Sequence, residues 1–244
     1  MEHNDDQAIG KILTRREALA AAGATSLLFL ANRIGFGAPP ASKAGDKEVD
    51  CVVATPALTE GPFFVDENLN RSDVRPDSKS GKVSEGVPLS LTISLVKLGT
   101  VCTAIKGAHV DIWHCDSAGR YSDEDNNGTA GQDQLRGYQV SDEEGQVKFT
   151  TVYPGWYNGR AVHIHFKIRI PQGNQSYEFT SQIFFDDKVS DSVFQDPPYK
   201  GRGQRDMRNE DDGIFLDGGA SLVLKLTKTE KGFSGALKVG LTSL

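Results

Sequence analysis

The sequence has few cysteines and no excess of basic residues, and each shortage narrows the class of protein. Cys51, Cys102 and Cys115 are the three cysteines among 244 residues, and no Cys-x-x-Cys spacing occurs, which argues against thiolate metal sites and dithiol redox chemistry. Lys and Arg number 27 against 33 Asp and Glu, so no basic excess points to nucleic acid. Three thiols permit one disulfide with one thiol left over, and the spacing does not select the pair.

The chain also has no apolar run long enough for a membrane span at its N-terminus. The apolar stretch from Ala18 to Ala31 is shorter than the about 20 residues that a span requires. It follows Arg15 and Arg16, a pattern typical of a twin-arginine export signal, and "SKA" ending at Ala44 offers small residues to signal peptidase. We therefore predict a cleaved signal over residues 1–44 and an exported domain over residues 45–244 without a stable membrane anchor. The alternative is an ordinary buried N-terminal helix.

Long amphipathic helices and internal repeats are absent from the sequence pattern as well. The periodic segments alternate with a period of two, which indicates β-strands. They are "LSLTISLVK" from Leu89, "AHVDIWHC", "GQVKFTTVY", "GRAVHIHFKIRI", "EFTSQIFF", and a C-terminal hairpin of "SLVLKLTKT" and "FSGALKVGL". Short strands separated by turns predict an all-β protein, a β-sandwich with long polar loops. Two of the loops, "SDEDNNGTAGQDQ" and "DPPYKGRGQRDMRNEDDG", are long enough to carry function.

Two histidines interrupt the strand "GRAVHIHFKIRI". With a period of two, Val162 and the apolar residues that follow it face one side, while His163 and His165 face the other. Two imidazoles on one side of a strand lie roughly 6 to 7 Å apart along the chain and are able to converge on one metal ion. An exposed polar face is the alternative, and the remaining ligands must decide between the two.

Two tyrosines near the histidine strand favour a metal site over an exposed polar face. Tyr157 lies six residues before His163, after the strand-ending pair Pro154 and Gly155, and Tyr121 follows a glycine turn after "AHVDIWHC". A phenolate is a hard, anionic oxygen donor suited to ferric iron. Two tyrosinates and two neutral imidazoles leave a net charge near +1 around Fe(III). Taken singly, each tyrosine is better explained as a packing residue.

Taken together, these segments resemble the intradiol ring-cleavage dioxygenases, which include the protocatechuate and catechol types. The matching pieces occur in family order and cover most of residues 55–187: "TEGPFF", "GAHVDIWHCDSAGRYS", "LRGYQVSDEEGQVKFTTVYPGWY", "GRAVHIHF" and "TSQIFFDD". The resemblance implies a sandwich fold, a non-haem Fe(III) cofactor, and cleavage of a catechol-type ring with O2 to a muconate-type diacid. The closest likeness is to the exported branch of the family.

The resemblance also implies roles for individual residues. The iron ligands would be Tyr121, Tyr157, His163 and His165, with Tyr157 as the ligand that gives way to substrate. Arg160 and Gln182 would lie beside the substrate, where Arg160 stabilises negative charge on the ring. The family segment that borders the aromatic ring would be represented by Gly61 and Pro62.

The sequence departs from the family in two places. The helical dimerisation segment of the catechol-type enzymes is replaced by the export signal and a linker, and the run from Tyr157 to His163 is shorter than in the protocatechuate and catechol enzymes. The short run predicts a wider pocket mouth and leaves the identity of the catechol open. A homo-oligomer is compatible with the sequence, which does not fix its order.

Two other functions remain open at this point. The first is a zinc or copper enzyme that combines His163 and His165 with either His109 or His114. The second is a non-catalytic sandwich that binds an aromatic or sugar partner outside the membrane. Metal analysis and oxygen uptake distinguish these from the ferric dioxygenase.

Overall fold

The computed structural model describes residues 47–242. The predicted export signal lies outside the described residues and stays a prediction, as does the domain boundary after Ala44. Within residues 47–242, no helix is both long and apolar enough to cross a membrane.

Within the described residues, nine strands form two sheets, which confirms the all-β sandwich. The strands are β1 (Pro88–Lys97), β2 (Thr103–Ala104), β3 (His109–Trp113), β4 (Arg136–Val140), β5 (Gln146–Val152), β6 (His163–Gln172), β7 (Gln175–Phe184), β8 (Leu226–Lys228) and β9 (Phe233–Leu241). In the first sheet, β1 pairs antiparallel with β2 and β5 and parallel with β9, and β8 lies beyond β9. The second sheet is antiparallel throughout, in the order β4-β3-β6-β7.

The core lies between the apolar faces of the two sheets. In β1 the alternating residues Leu89, Leu91, Ile93 and Leu95 are all buried, and in β6 the same holds for Ile164, Phe166 and Ile168. Each apolar side chain of this size contributes about 1.5 to 3 kcal/mol when fully buried. The alternation therefore fixes the register of β6 and directs its other residues, including both histidines, to the opposite face of the sheet.

Between residues 47 and 242, helical structure is confined to the loops. Two short helices, α1 (Asp187–Val193) and α2 (Gly213–Leu216), both begin at an aspartate whose side chain accepts hydrogen bonds from the first-turn amides. Three 3₁₀ turns lie at Asp125–Asn127, Asn209–Asp211 and Gly219–Leu222. The loop 196–213, which the sequence marks as long enough for function, thus runs into the start of α2, whose N-cap is Asp212.

Strand β4 and the start of the C-terminal hairpin differ from the sequence prediction. The alternation does not predict a strand at Arg136–Val140, because its two buried residues are an arginine and a glycine, which give no apolar signal. The predicted strand from Ser221 begins only at Leu226, because Val223 bridges to Phe184 and the Leu224 amide donates to the Phe184 carbonyl. These residues continue the second sheet instead of pairing with β9.

A disulfide joins Cys51 to Cys102, with Cα atoms 5.2 Å apart. It ties the N-terminal part of the described chain to the connection between β1 and β2. Cys115 is the remaining free thiol, and it is buried. Burial raises the pKa of Cys115 to about 12, so at neutral pH it is a protonated packing residue.

Candidate metal centre

Strand β6 presents His163 and His165 on the side of the second sheet that faces away from the core. This outward direction agrees with the alternation, but the face is not solvent-exposed, because only 2% of His163 and 1% of His165 is accessible. The covering segment, residues 57–70, lies across it. Lys167, further along β6, forms ion pairs at 3.0 Å with Glu60 of that segment and with Glu178 of β7. The polar face of β6 is therefore buried as well, beneath the covering segment and apart from the apolar core.

Tyr121 follows a tight turn after β3. The Asp116 carboxylate accepts hydrogen bonds from the backbone amides of Ala118 at 2.8 Å and Arg120 at 2.9 Å, which closes the turn. Gly119 adopts φ +80°, a left-handed conformation that favours glycine. The turn directs Tyr121 inward, where it is 1% exposed.

The loop that carries Tyr157 packs directly on this turn. The Gly155 amide donates to the Asp116 carbonyl at 3.2 Å, and a Cβ on Gly119 would collide with the Trp156 carbonyl oxygen. Arg202 bridges the two segments by donating to the Ser117 carbonyl at 3.2 Å and the Trp156 carbonyl at 2.7 Å. The two tyrosine-bearing loops therefore hold each other at a fixed separation.

The four predicted ligands converge on one point. Measured from His163 Nε2, the distances are 3.0 Å to His165 Nε2, 3.2 Å to Tyr157 Oη and 3.3 Å to Tyr121 Oη. Adjacent donor atoms bound at about 2.1 Å to one ion lie about 3 Å apart when they subtend a right angle. The separations therefore match a single coordination sphere.

The hydrogen bonding of His163 leaves its Nε2 free to bind a cation. His163 Nδ1 lies 2.6 Å from the Ala161 carbonyl, which only accepts, so this nitrogen carries the proton and the Nε2 lone pair faces the other three donors. His165 Nδ1 is buried with no hydrogen-bond partner among the described residues. No contact of this nitrogen therefore determines which ring nitrogen of His165 carries the proton. The site thus offers two phenol oxygens and two imidazole nitrogens as donors. This ligand set fits ferric iron better than zinc, since tyrosinate is an established iron ligand.

Burial shifts the pKa of all four groups so that the uncharged form of each is favoured. It lowers the pKa of His163 to about 3 and that of His165 well below 6.5, with Arg160 and the neighbouring histidine adding to the effect. Burial also raises the pKa of Tyr157 to about 12 and that of Tyr121 well above 10. The imidazoles are thus neutral and available as ligands, whereas phenolates at this depth require a compensating cation.

Aromatic rings enclose the donor set. Trp113 of β3 stacks on His165 with ring centres 4.8 Å apart, and Phe63 of the covering segment stacks on Tyr121 at 4.4 Å and meets Tyr157 edge-on at 6.1 Å. These contacts lock the ligand rings and exclude water from one side of the site. Tyr157 is less enclosed than Tyr121, because part of its surface remains accessible.

Arg160 and Gln182 belong to one hydrogen-bonded chain beside the ligands. Arg160 Nη2 donates to Gln182 Oε1 at 2.6 Å, and Gln182 Nε2 donates to the Thr59 carbonyl at 2.8 Å. On its other side, Arg160 Nε donates to Asp212 Oδ2 at 3.0 Å. The structure thus brings the two residues together, with Asp212 as a further member.

Asp212 is a partner that the sequence reasoning missed. Its Oδ2 also accepts from the Ala161 amide at 2.8 Å, and its Oδ1 accepts from Ile214 at the start of α2. Burial alone would raise the pKa of Asp212, but the Arg160 guanidinium and these hydrogen bonds lower it, so the carboxylate is charged at neutral pH. The only signal in the sequence is an Asp-Gly pair at the end of a polar loop, which does not identify its partner.

Gly61 and Pro62 lie in the covering segment, where Gly61 is next to His165 and Pro62 is exposed. Gly61 adopts φ +70°, and a Cβ at this position would meet His165 Cε1 at 3.5 Å. Its neighbour Glu60 is held by Lys167, which also lies 4.8 Å above the Phe64 ring. The segment is therefore fixed over the histidines by an ion pair and a ring contact.

Neither of the other candidate histidines joins the pair. His114 places Nδ1 2.8 Å from the Cys115 carbonyl and Nε2 2.7 Å from Thr151 Oγ1, so both nitrogens are engaged on the core side of the sheet. His109 pairs in register with Arg169, four residues along β6 from His165. Among residues 47–242, no group of three His, Cys, Asp or Glu side chains is placed to hold a metal ion. The zinc or copper site with a third histidine is not formed.

Fold and site together define a β-sandwich in which two tyrosines and two histidines form one donor set beside an arginine. The family model for dioxygenases matches residues 59–209. The chain belongs to the intradiol ring-cleavage dioxygenase family.

Individual relatives agree with this assignment. An intradiol ring-cleavage dioxygenase from Tetranychus urticae superposes with a TM-score of 0.69 at 32% identity, covering 79% of this chain and 96% of that one. Catechol 1,2-dioxygenase 1 of Acinetobacter lwoffii is 27% identical over 146 residues, and catechol 1,2-dioxygenase of Pseudomonas sp. (strain EST1001) is 31% identical over 163 residues. These matches cover 50% and 57% of this chain but only 44% and 50% of the two enzymes, so the chain spans about half the length of these relatives.

Proposed function

We propose that the protein is a non-haem Fe(III)-dependent dioxygenase that cleaves a catechol-type ring between its two hydroxylated carbons. Both atoms of O2 enter the product, a muconate-type dicarboxylic acid. The observation that carries the proposal is the convergence of Tyr121, Tyr157 and His165 within 3.0 to 3.3 Å of His163 Nε2. When bound there, ferric iron supplies the Lewis acidity that withdraws electron density from the substrate ring.

The residues of the chain provide three functions in this reaction. Tyr157, the more accessible of the two phenols, gives way to substrate and accepts a proton from a catechol hydroxyl at its Oη. Arg160, held by Asp212 and Gln182, presents a permanent positive charge to the negative charge that develops on the ring. Phe63, Trp113 and the covering segment exclude water from the ligand rings.

Metal content and colour test the cofactor. We expect the purified protein to be red to burgundy without added metal, with about one iron per chain, because charge transfer from tyrosinate to Fe(III) absorbs visible light. Elemental analysis and the visible spectrum are the measurements. A colourless protein that holds stoichiometric zinc would contradict the proposal.

Oxygen uptake tests the substrate. We expect catechol to be consumed with one O2 per ring, and alkyl- or aryl-substituted catechols to be turned over with specificity constants comparable to that of catechol, because the run from Tyr157 to His163 is short. A steep loss for every bulky substituent would argue against an open pocket. An iron-loaded protein that takes up no oxygen with any catechol would favour the non-catalytic alternative.

We also propose export through the twin-arginine route, on the basis of Arg15 and Arg16 ahead of the apolar stretch. Changing both arginines to lysine is expected to leave an uncleaved precursor in the cytoplasm. Cell fractionation with an immunoblot of the parent and of the Arg15→Lys/Arg16→Lys variant is the measurement. Equal export of the two proteins would contradict the route.

A further inference from the structure

Arg136 is a buried arginine that lacks a carboxylate partner. It lies at the start of β4, opposite Trp113 in the register with β3, and is 2% exposed. In the described part of the chain no Asp or Glu forms an ion pair with it, in contrast to Arg160, which is paired with Asp212. A buried charge is costly unless something in its surroundings compensates it.

The guanidinium of Arg136 is bound to both sides of Tyr121. Nη1 donates to the Phe63 carbonyl at 2.5 Å, and Phe63 is the residue whose ring stacks on Tyr121. Nε and Nη2 donate to Ser122 Oγ at 2.9 Å and to the Ser122 carbonyl at 2.7 Å, and Ser122 directly follows Tyr121 in the chain. The guanidinium carbon lies 6.0 Å from the centre of the Tyr121 ring.

We propose that Arg136 is a positioning residue for Tyr121. Its guanidinium holds Phe63 and Ser122 on either side of the phenol and places a permanent positive charge near the ring. The inference rests on the proposed function, in which Tyr121 is a permanent anionic ligand. The fork of donors fixes the ring, and the phenolate in turn compensates the buried charge. This mutual stabilisation adds to the attraction of Glu67, Asp123 and Glu124, which lie near Arg136 without forming an ion pair with it.

The test compares iron retention and the visible spectrum in Arg136→Gln and Arg136→Lys, each purified with its iron. Changes to residues that support metal ligands typically cost about 10- to 100-fold in metal affinity. We expect a loss of that order for Arg136→Gln in competition with a ferric chelator, together with a displaced tyrosinate absorption band. Arg136→Lys keeps the positive charge but loses the planar set of guanidinium donors to Phe63 and Ser122, so its iron loss should be smaller than that of Arg136→Gln.

Arg205→Gln is the matched control. The Arg205 side chain is 3% exposed and its guanidinium is bound to Asp187 and Asp191 around α1, so its loss should lower the melting temperature. Iron retention and the absorption band of this control should remain those of the parent. A purely structural role of Arg136 would give the same pattern as the control.

The outcomes separate the two proposals. A parent protein without iron contradicts the proposed function, and the role of Arg136 fails with it. A parent that holds iron, together with an Arg136→Gln variant of equal iron retention and unchanged band, contradicts only the role of Arg136. If Arg136→Gln does not fold, Arg136→Lys decides, because parental retention and an unshifted band in that variant would contradict the positioning role.

Discussion

Tyr157→Phe is expected to lower kcat by about 10² to 10⁴, the usual contribution of a positioned general base, while the protein keeps much of its iron and part of its colour. The phenol that gives way to substrate is the group that accepts the substrate proton, and phenylalanine accepts none. Release of product, which requires the ligand to return, should slow as well. Tyr157 is suited to this exchange because it is the less enclosed of the two tyrosines.

Tyr121→Phe is the matched variant and should behave differently. Tyr121 is 1% exposed, stacked under Phe63, and its carbonyl accepts from Thr129 Oγ1 at 2.6 Å, so it is held in place as a permanent ligand. We expect its loss to release iron and remove most of the visible absorption. Iron analysis, the visible spectrum and steady-state oxygen uptake of both variants are the measurements. Parental turnover with full iron in Tyr157→Phe would show that Tyr157 is not the exchanging ligand.

The sandwich could be predicted because its core strands alternate clearly. Leu89 to Leu95 and Val162 to Ile168 place one apolar residue at every second position, and that period both identifies a strand and fixes its buried face. Strand β4 escaped prediction because Arg136 and Gly137 carry no apolar signal. The parallel pairing of β1 with β9 joins segments distant in the chain, a contact that no local pattern encodes.

The four candidate ligands could be selected from sequence because their order and spacing are specific to a family, whereas the groups that contact them could not. Asp212 and Phe63 act through contacts between residues about 50 or more positions apart, Arg160 with Asp212 and Tyr121 with Phe63. The disulfide is a similar case, since three cysteines allow three pairings and only the fold brings Cys51 to Cys102. The alternation correctly placed His163 and His165 on the face opposite the core. It could not show that this face is buried, because the residues that cover it come from a distant part of the chain.

Asp212→Asn should lower kcat through Arg160, and this is the second large effect that we expect. Removing one group that stabilises developing charge costs about 10² to 10³ in kcat, which is our expectation for Arg160→Gln. Asparagine at position 212 keeps a cap for α2 but turns an amide group or a weaker acceptor towards the guanidinium, so the loss should be smaller, roughly 10-fold, with KM changed less than kcat.

The double variant Arg160→Gln/Asp212→Asn distinguishes positioning from an independent role. If Asp212 acts by holding Arg160, the double variant should be little worse than Arg160→Gln alone, because the carboxylate has nothing left to orient. Asp186→Asn is the control, since Asp186 caps α1 through Lys188 and Val189 as Asp212 caps α2, but carries no arginine of the site. Its kcat should remain parental. Effects of Arg160 and Asp212 that multiply in the double variant would mean that the carboxylate supports the reaction by another path, such as through Ala161, whose backbone N–H donates to Asp212 and whose carbonyl accepts from His163 Nδ1.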